Sequence, residues 1–334
     1  MSRMEHPRVL EANLFNVQSE KDFERIALSI FHYQIHNNPV YNNYCTLLGV
    51  EPAKVKAIEH IPFLPVEFFR RHRVLCGNDR WQNLFISSGT TGMERSKHYV
   101  KRLDIYRKSF LQTFERFYGS LRDYCILAVL PGYGEQRHSS LIYMVHELME
   151  QTGHPESGFY LHDYPALVDK LQRLMDRHQK ILLFGASYAL LDLVESCKLQ
   201  LKNTTVMETG GMKGRREEIT REKLHAILMK GFGVRCIHSE YGMTELLSQA
   251  YAKESGIFHT PPWMKVMIRD VYDPFQYVGA GKSGGINVID MANLYSCAFI
   301  ETKDLGRLHD QGSFEVLGRF DYSDVRGCNL MVME

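Results

Sequence analysis

The densest chemistry in the chain is Phe85-Ile-Ser-Ser-Gly-Thr-Thr-Gly-Met-Glu-Arg-Ser-Lys97. Two serines, two threonines and two glycines fill the six positions from Ser87 to Gly92. Glycines let a backbone approach a ligand closely and turn its N–H groups inward. The hydroxyls add donors and Lys97 adds a point charge. Such a set suits a polyphosphate cradled by peptide N–H groups. The same composition also describes a solvated polar turn, so the loop alone does not decide its use.

Further segments carry related chemistry in a fixed order. They are Thr209-Gly210-Gly211, Tyr241-Gly-Met-Thr-Glu245, Lys282-Ser-Gly-Gly-Ile-Asn287, Glu301-Thr-Lys-Asp-Leu-Gly306 and Gly318-Arg-Phe-Asp321. With the Ser87–Gly92 loop, this ordered set closely resembles the adenylate-forming superfamily of acyl-CoA synthetases, peptide-synthetase adenylation domains and luciferases. The tail Asp321-Tyr-Ser-Asp-Val-Arg-Gly-Cys-Asn-Leu330 looks like that of one branch, the acyl-protein synthetases of the bacterial luminescence fatty-acid reductase complex. Ile61-Pro-Phe-Leu-Pro65, Arg137-His-Ser-Ser-Leu141 and Phe184-Gly-Ala-Ser-Tyr188 also resemble that branch.

The resemblance implies roles. Ser87, Ser88, Gly89, Thr90, Thr91, Gly92 and Lys97 would hold the phosphates of ATP. Thr209, Gly210 and Gly211 would form the adenine-contacting turn. Tyr241, followed by Gly242, would stack on the base. Thr244 would sit near the α-phosphate and Glu245 would carry Mg2+. Asp304 would accept from the ribose hydroxyls, and Arg319 would reach ribose or phosphate. His138, Gly185 and Ser187 would face the carboxylic acid, expected to be a long-chain fatty acid. Such an enzyme first makes acyl-AMP, a step that needs in-line placement of the carboxylate and stabilisation of phosphate charge. The acyl group would then pass to Cys328 and on to a reductase partner. A thiolate is the reactive form, and Arg319 and Arg326, close to Cys328 in sequence, favour it. The family's phosphate-loop lysine follows a proline, whereas Lys97 follows Met93-Glu94-Arg95-Ser96. The usual C-terminal domain, which carries a further lysine, is expected to be missing or reduced to a short tail.

Other patterns compete. An aryl- or acyl-CoA ligase of the phenylacetate type would share the same loops. Gly185-Ala-Ser-Tyr-Ala189 resembles a nucleophile elbow without its last glycine, so a serine hydrolase or thioesterase using Ser187 with His238 or His309 is a rival. A catalytically dead acyl or nucleotide binder is another. Gly281-Lys282-Ser283 is not a P-loop, because Gln276 stands where its first glycine belongs. Cys236 and His238 have no second pair with which to hold zinc.

These motifs need elements to position them. Residues 1–80 read as largely helical, with Phe23, Ile26, Ala27, Ile30 and Phe31 at helical spacing, and Pro62 and Pro65 then break the pattern. Residues 81–256 read as an α/β core. Strands are expected at 125–130, 181–184, 204–207 and 234–238, and helices from Ser139 or Ser140 to Gly153 and over 166–180, 188–199 and 216–230. Such alternation predicts a mostly parallel sheet covered by helices, with ligands beyond the carboxyl ends of its strands. Residues 257–317 read as a smaller β region with strands near 266–268, 285–289, 297–302 and 313–317, and 318–334 as hinge and tail. The fold class is therefore α/β, an adenylate-forming large domain with mixed and parallel sheets plus a smaller β subdomain.

Composition sets outer limits. With 40 Lys+Arg against 39 Asp+Glu, the formal charge is +1, which excludes a broad electrostatic footprint for nucleic acid. The longest apolar runs fall well short of a membrane span. The seven cysteines are scattered and form no C-x-x-C pair, as expected of a reducing, cytoplasmic setting.

Overall fold

The computed structural model describes residues 6–77, 80–88, 94–211, 216–217 and 219–320. The chain divides into two compact units, residues 1–79 with 262–334, and residues 80–261. The helical N-terminal stretch and the β-rich stretch, expected as separate regions, are thus one unit.

That unit begins with α1 (Pro7–Asn13), α2 (Glu20–Asn37), α3 (Pro39–Leu47), β1 (Leu64–Pro65) and α4 (Phe68–Arg71). Ser19 caps α2 by accepting from the Asp22 N–H, and Asn38 caps α3 through Val40 and Tyr41. The buried face of α2 carries Phe23, Ile26, Ala27, Ile30 and Phe31, as the spacing predicts.

Residues 80–261 contain β2 (Asn83–Ile86), β3 (Lys97–Val100), α5 (Leu103–Tyr118), β4 (Tyr124–Val129), α6 (Ser140–Thr152), β5 (Gly158–Phe159), α7 (Tyr164–Asp176), β6 (Lys180–Ala186), α8 (Ser187–Ser196), β7 (Thr204–Thr209), α9 (Arg221–Phe232), β8 (His238–Tyr241) and β9 (Ala250–Ala252). Among the described residues β2 and β3 form a two-stranded hairpin, and a six-stranded sheet has the order β5-β4-β6-β7-β8-β9. Pairing from β5 to β8 is parallel, and β9 closes the edge antiparallel. All six residues of β4 are buried, as suits a strand covered on both faces. Ser139 caps α6, which ends on Gly153 at φ 63, the left-handed stop its sequence predicts.

Three of the boundaries that differ from expectation have a visible cause. Helix α7 stops at Asp176, because His178 turns left-handed at φ 57 and Lys180 pairs with Tyr124 in the sheet. Helix α9 begins only at Arg221, since Thr220 caps it and Arg216 instead bridges Asp192 and Glu195. Strand β8 lies at His238–Tyr241 rather than 234–238, because its pairing with Met207–Thr209 decides the register.

The chain then returns to the first unit with β10 (Met264–Arg269), β11 (Ser283–Asp290), β12 (Phe299–Leu308) and β13 (Phe314–Arg319). These strands pair antiparallel, and β1 adds to β12 in parallel. Buried Gln34 joins the helical stretch to this sheet region. Its amide donates to the Asn293 and Leu294 carbonyls at 2.9 Å, and its oxygen accepts from the Ala298 N–H at 3.0 Å. Segments 282–287 and 301–306 lie largely within β11 and β12, which run longer than the strands expected near 285–289 and 297–302. Gly284 and Gly285 sit inside β11 because the Arg269 residue occupies the space where their side chains would go. A Cβ at Gly284 would stand 2.1 Å from the Arg269 carbonyl oxygen, and one at Gly285 would stand 2.3 Å from Cζ of the guanidinium.

Gly284→Ala is expected to lower the stability of the chain by about 3 kcal/mol, since a backbone oxygen must move to admit the methyl. A urea midpoint equal to that of the wild type would show that β11 tolerates the side chain.

Candidate active site

The residues singled out by sequence fall on both units. Ser87, Ser88, Lys97, His138, Gly185, Ser187, Thr209, Gly210, Gly211, Tyr241, Gly242, Thr244 and Glu245 belong to residues 80–261, and Asp304 and Arg319 to the other unit. Gly89, Thr90, Thr91, Gly92 and Cys328 lie outside the described residues.

In the larger unit the motifs gather by a small number of buried contacts. The β2–β3 hairpin carries the polar loop, and its mouth is closed twice. The Ser87 N–H donates to the Ser96 carbonyl at 3.0 Å, and the Ser96 N–H donates to Ser87 Oγ at 2.9 Å. Lys97 and Ser88 are exposed. His98, the residue after Lys97, is fully buried, and its Nδ1 lies 2.8 Å from the Thr244 carbonyl. A carbonyl only accepts, so Nδ1 carries the proton. Burial drives the His98 pKa from 6.5 down to about 4, with the Thr244 bond opposing the shift. The ring is therefore neutral near pH 7, and its N–H ties the β2–β3 hairpin to the Tyr241–Glu245 turn. A second tie joins Ser109 of α5 to Ser248, Oγ to Oγ at 3.0 Å. Phe85 anchors the hairpin itself by packing on Tyr106 and Tyr143 at 5.5 and 5.7 Å between centroids.

The turns after β7 and β8 stand side by side. Thr209 and Glu240 are register partners, and the Thr209 hydroxyl donates to the Glu240 carboxylate. Beyond Thr209 both glycines are left-handed, Gly210 at φ 71 and Gly211 at φ 59, a backbone that few other residues adopt. A Cβ at Gly242 would stand 2.4 Å from Glu240 Oε1, so a larger residue there would have to displace that carboxylate. Tyr241 is buried with its ring 5.9 Å from that of Phe258. Glu245 is a buried carboxylate. His138 is exposed on the loop after β4, and it is held to β2 by two contacts. Its ring Nδ1 lies 3.0 Å from the Leu84 carbonyl, and its own carbonyl accepts from the Ile86 N–H at 2.8 Å.

Gly185 and Ser187 are buried. A Cβ on Gly185 would lie 2.8 Å from Leu190 and 3.2 Å from Val129. Ser187 Oγ donates to Glu208 Oε2 at 2.8 Å. A hydrolytic serine must instead give its proton to an imidazole. His238, one named rival base, places Nδ1 3.2 Å from the Tyr118 hydroxyl and Nε2 3.7 Å from Cys236 Sγ. His309 lies in the other unit. The hydrolase arrangement is therefore not formed by these side chains.

In the smaller unit Asp304 and Arg319 face one another across β12 and β13. Arg319 Nε donates to Asp304 Oδ1 at 3.3 Å, and Arg319 is mostly exposed whereas Asp304 is buried. Thr302 fixes this strand: its Oγ1 accepts from the Asp304 N–H at 3.1 Å and donates to the Ile286 carbonyl at 2.8 Å. Buried Arg269 donates to the Thr302 and Ile286 carbonyls and to Asn287 Oδ1 at 2.8 to 2.9 Å.

Sequence reasoning missed His98, Glu208, Glu240 and His225. A signal for the glutamates was present. Strands covered on both faces read as nearly continuous apolar runs, and Met207-Glu-Thr209 and Ser239-Glu-Tyr241 break that rule at the strands' carboxyl ends.

The donor set agrees with a nucleotide and its metal. Mg2+ commonly takes one or two protein carboxylates, with phosphates and water completing the shell, and Glu245 supplies a buried carboxylate beside Thr244 in the same turn. Among the described residues there is no cluster of three or more His, Cys, Asp or Glu side chains arranged to hold a metal unaided, and none of their helices is long and apolar enough to cross a membrane.

Solved structures share this architecture. A 2-hydroxyisobutyryl-CoA ligase in complex with 2-HIB-AMP and CoA superposes with a TM-score of 0.66 at 13% identity, over 92% of this chain and 70% of that one. ATP-bound MatB from Rhodopseudomonas palustris gives 0.54 at 18% identity, over 71% of this chain. The fold is that of the adenylate-forming ligases. The chain spans about half the length of MatB, 47% of it. It is also 22% identical over 347 residues to the long-chain-fatty-acid–luciferin-component ligase of Vibrio harveyi, which covers 96% of this chain and 90% of that protein. No protein-family model matches. Within this ligase fold, the loops beyond β4, β6, β7 and β8 are the carboxyl-edge loops where such sheets bind ligands.

Removing the His98 ring should loosen the junction between hairpin and turn. Burial depresses its folded pKa below the unfolded value, so its contribution is complete above about pH 6.5 and is lost as pH falls toward about 4. His98→Asn is expected to cost about 2 kcal/mol at pH 7 and to flatten the stability profile across that window. Urea titrations from pH 4 to 7.5 check this, and parallel profiles for the two proteins would show that His98 does not titrate as its burial requires.

Proposed function

We propose that the chain is an ATP- and magnesium-dependent ligase that activates a long-chain fatty acid as acyl-AMP and then loads the acyl group onto its own Cys328. The observation that carries this reading is the His98–Thr244 bond at 2.8 Å, which brings the hydroxyl-rich loop's hairpin against the turn holding Thr244 and Glu245. Two motifs far apart in the chain, both assigned to ATP by the family resemblance, are joined by this buried contact.

In the first step a carboxylate oxygen of the fatty acid attacks the α-phosphorus of ATP, and the bond from that phosphorus to the bridging oxygen breaks. Pyrophosphate leaves and the acid becomes a mixed anhydride. Ser87, Ser88, Gly89, Thr90, Thr91, Gly92 and Lys97 bind the phosphates and orient them for in-line attack. Thr244 donates to the α-phosphate as its charge develops. Thr209, Gly210, Gly211, Tyr241 and Gly242 hold the adenine, and Asp304 with Arg319 holds the ribose. Glu245 would hold Mg2+, which offsets phosphate charge when bound. His138 is the candidate to orient the substrate carboxylate.

In the second step the Cys328 thiolate attacks the acyl carbon. A C–S bond forms, the C–O bond to phosphate breaks and AMP leaves. The thioester then serves a reductase-type partner in the cytoplasm. The similarity to the Vibrio harveyi ligase, named for a long-chain fatty acid, supports the acid class. The CoA-bound ligase of the same fold supports a second reading in which CoA is the acceptor.

The purified chain is expected to exchange labelled pyrophosphate into ATP only when a fatty acid is present. Thr244→Ala should slow that exchange about 100-fold. Cys328→Ser should leave exchange intact and abolish a hydroxylamine-labile acyl label on the protein. Formation of acyl-CoA with no protein label would favour the CoA reading, and absence of exchange across chain lengths would remove adenylation altogether.

A further inference from the structure

The serine of the elbow-like segment is tied to a buried carboxylate, Glu208, for which the proposed nucleotide and acid sites give no role. Ser187 Oγ donates to Glu208 Oε2 at 2.8 Å and lies 3.5 Å from the carbonyl of Thr209. The other carboxylate oxygen, Glu208 Oε1, faces α9, where His225 Nε2 stands at 3.6 Å and Arg221 Nε at 3.8 Å. His225 Nε2 also meets Ser239 Oγ of β8 at 3.3 Å. The N-terminus of α8, the ends of β7 and β8, and the first turns of α9 therefore converge on one carboxylate that is 5% exposed. Burial alone raises a carboxyl pKa. The contacts with His225, Arg221, Ser239 and Ser187 outweigh it and hold Glu208 below its ordinary value, so it is an anion when the protein works.

The next residue is Thr209, and after it come the two left-handed glycines. Thr209 is held at both ends of this arrangement. Its carbonyl lies by Ser187 and its hydroxyl donates to Glu240. A turn of two glycines has little stiffness of its own. Its geometry has to be imposed by the strand end that launches it.

We infer that Glu208 is a positioning residue for nucleotide binding: with Ser187 and His225 it fixes Thr209, and through it the Gly210–Gly211 turn, in the geometry that receives the base. This rests on the adenylating function proposed above. The carboxylate touches neither nucleotide nor acid and acts through the backbone of its neighbour. The effect is therefore selective. Loss of the network weakens ATP and leaves the acid site, the Cys328 thiol and the Thr244 turn in place.

The test is equilibrium ATP binding by calorimetry together with KM values for ATP and for a fatty acid in pyrophosphate exchange. Glu208→Gln keeps the shape and removes the charge. His225→Gln removes the imidazole partner on α9 and leaves the carboxylate charge, and it is the milder variant should Glu208→Gln fail to fold. Both are expected to raise the Kd and KM for ATP about 10-fold, with the fatty-acid KM and the maximal exchange rate within about 2-fold of wild type. Glu208→Asp, which restores the charge, should recover part of the ATP affinity. Unchanged ATP binding in the folded variants overturns the inference. So does an equal loss for both substrates that follows a lowered melting temperature, since that is what a purely structural role produces. Failure of the wild-type chain itself to bind ATP removes the functional reading and this inference with it.

Discussion

A neutral imidazole sealed inside the protein holds the candidate site together. His98 has a single proton on its ring, and it is given to the Thr244 carbonyl. The contact spans two motifs about 150 residues apart in the chain, and it closes a long loop at an entropic cost that the surrounding burial must offset. Its position is informative. His98 follows Lys97 directly on β3, and alternation along a strand sends the two side chains to opposite faces. One residue is exposed and cationic while its neighbour is buried and neutral. The hairpin can therefore present a charge without losing its anchor. Protonation of His98 would place a cation in the core, which burial strongly disfavours.

The second constraint is polar material at the ends of buried strands. Glu208 and Glu240 occupy neighbouring strands at places where a sheet covered on both faces normally has apolar residues. A buried carboxylate without partners costs several kcal/mol. Both are satisfied from nearby elements, Glu208 by Ser187, His225 and Arg221 and Glu240 by Thr209. Breaking such a network from one side is expensive. The strand ends are therefore more sharply specified than hydrophobic packing alone would make them, which is what a ligand-binding edge requires.

Much of this architecture is legible in the sequence. The apolar runs around 125–130, 181–184 and 204–207 and the capped, glycine-terminated helix after Ser139 are local signals, and the structure keeps them. The strand before Tyr241 is not local. The apolar residues Val234 and Ile237 invite a strand there, but pairing with β7 shifts it onto His238–Tyr241, a polar segment with no apolar pattern of its own. The strand read near 285–289 likewise begins earlier, at Ser283, because nothing in sequence shows that Arg269 will fill the space beside Gly284 and Gly285. The site follows the same division. The loops that carry hydroxyls and glycines are visible as motifs. The residues that orient them, His98, Glu208 and His225, are single polar residues whose partners lie 13 to 146 positions away, and no periodicity announces them.

Both units use one device on opposite kinds of charge. In the larger, an anion, Glu208, sits beneath a strand end and fixes the residue after it. In the smaller, a cation, Arg269, is sunk among β10, β11 and β12 and donates to the Thr302 carbonyl, while the Thr302 hydroxyl accepts from the Asp304 N–H. In each case a buried charge is saturated by backbone and side-chain partners, and the polar residue beside it in the chain is held in place. The glycines beside Arg269 belong to the same arrangement, since a side chain at Gly285 would occupy the volume of the guanidinium and one at Gly284 would meet the Arg269 carbonyl. A charge fixed in this way resists displacement when a charged ligand arrives, because moving it would break several hydrogen bonds at once. An exposed carboxylate such as Glu51, paired on the surface with Lys54, has no comparable restraint and reorients with the solvent. The buried ion is thus suited to defining the geometry of the residues beside it, and the polar strand ends, anomalous as sheet sequence, are accounted for by the positions they hold.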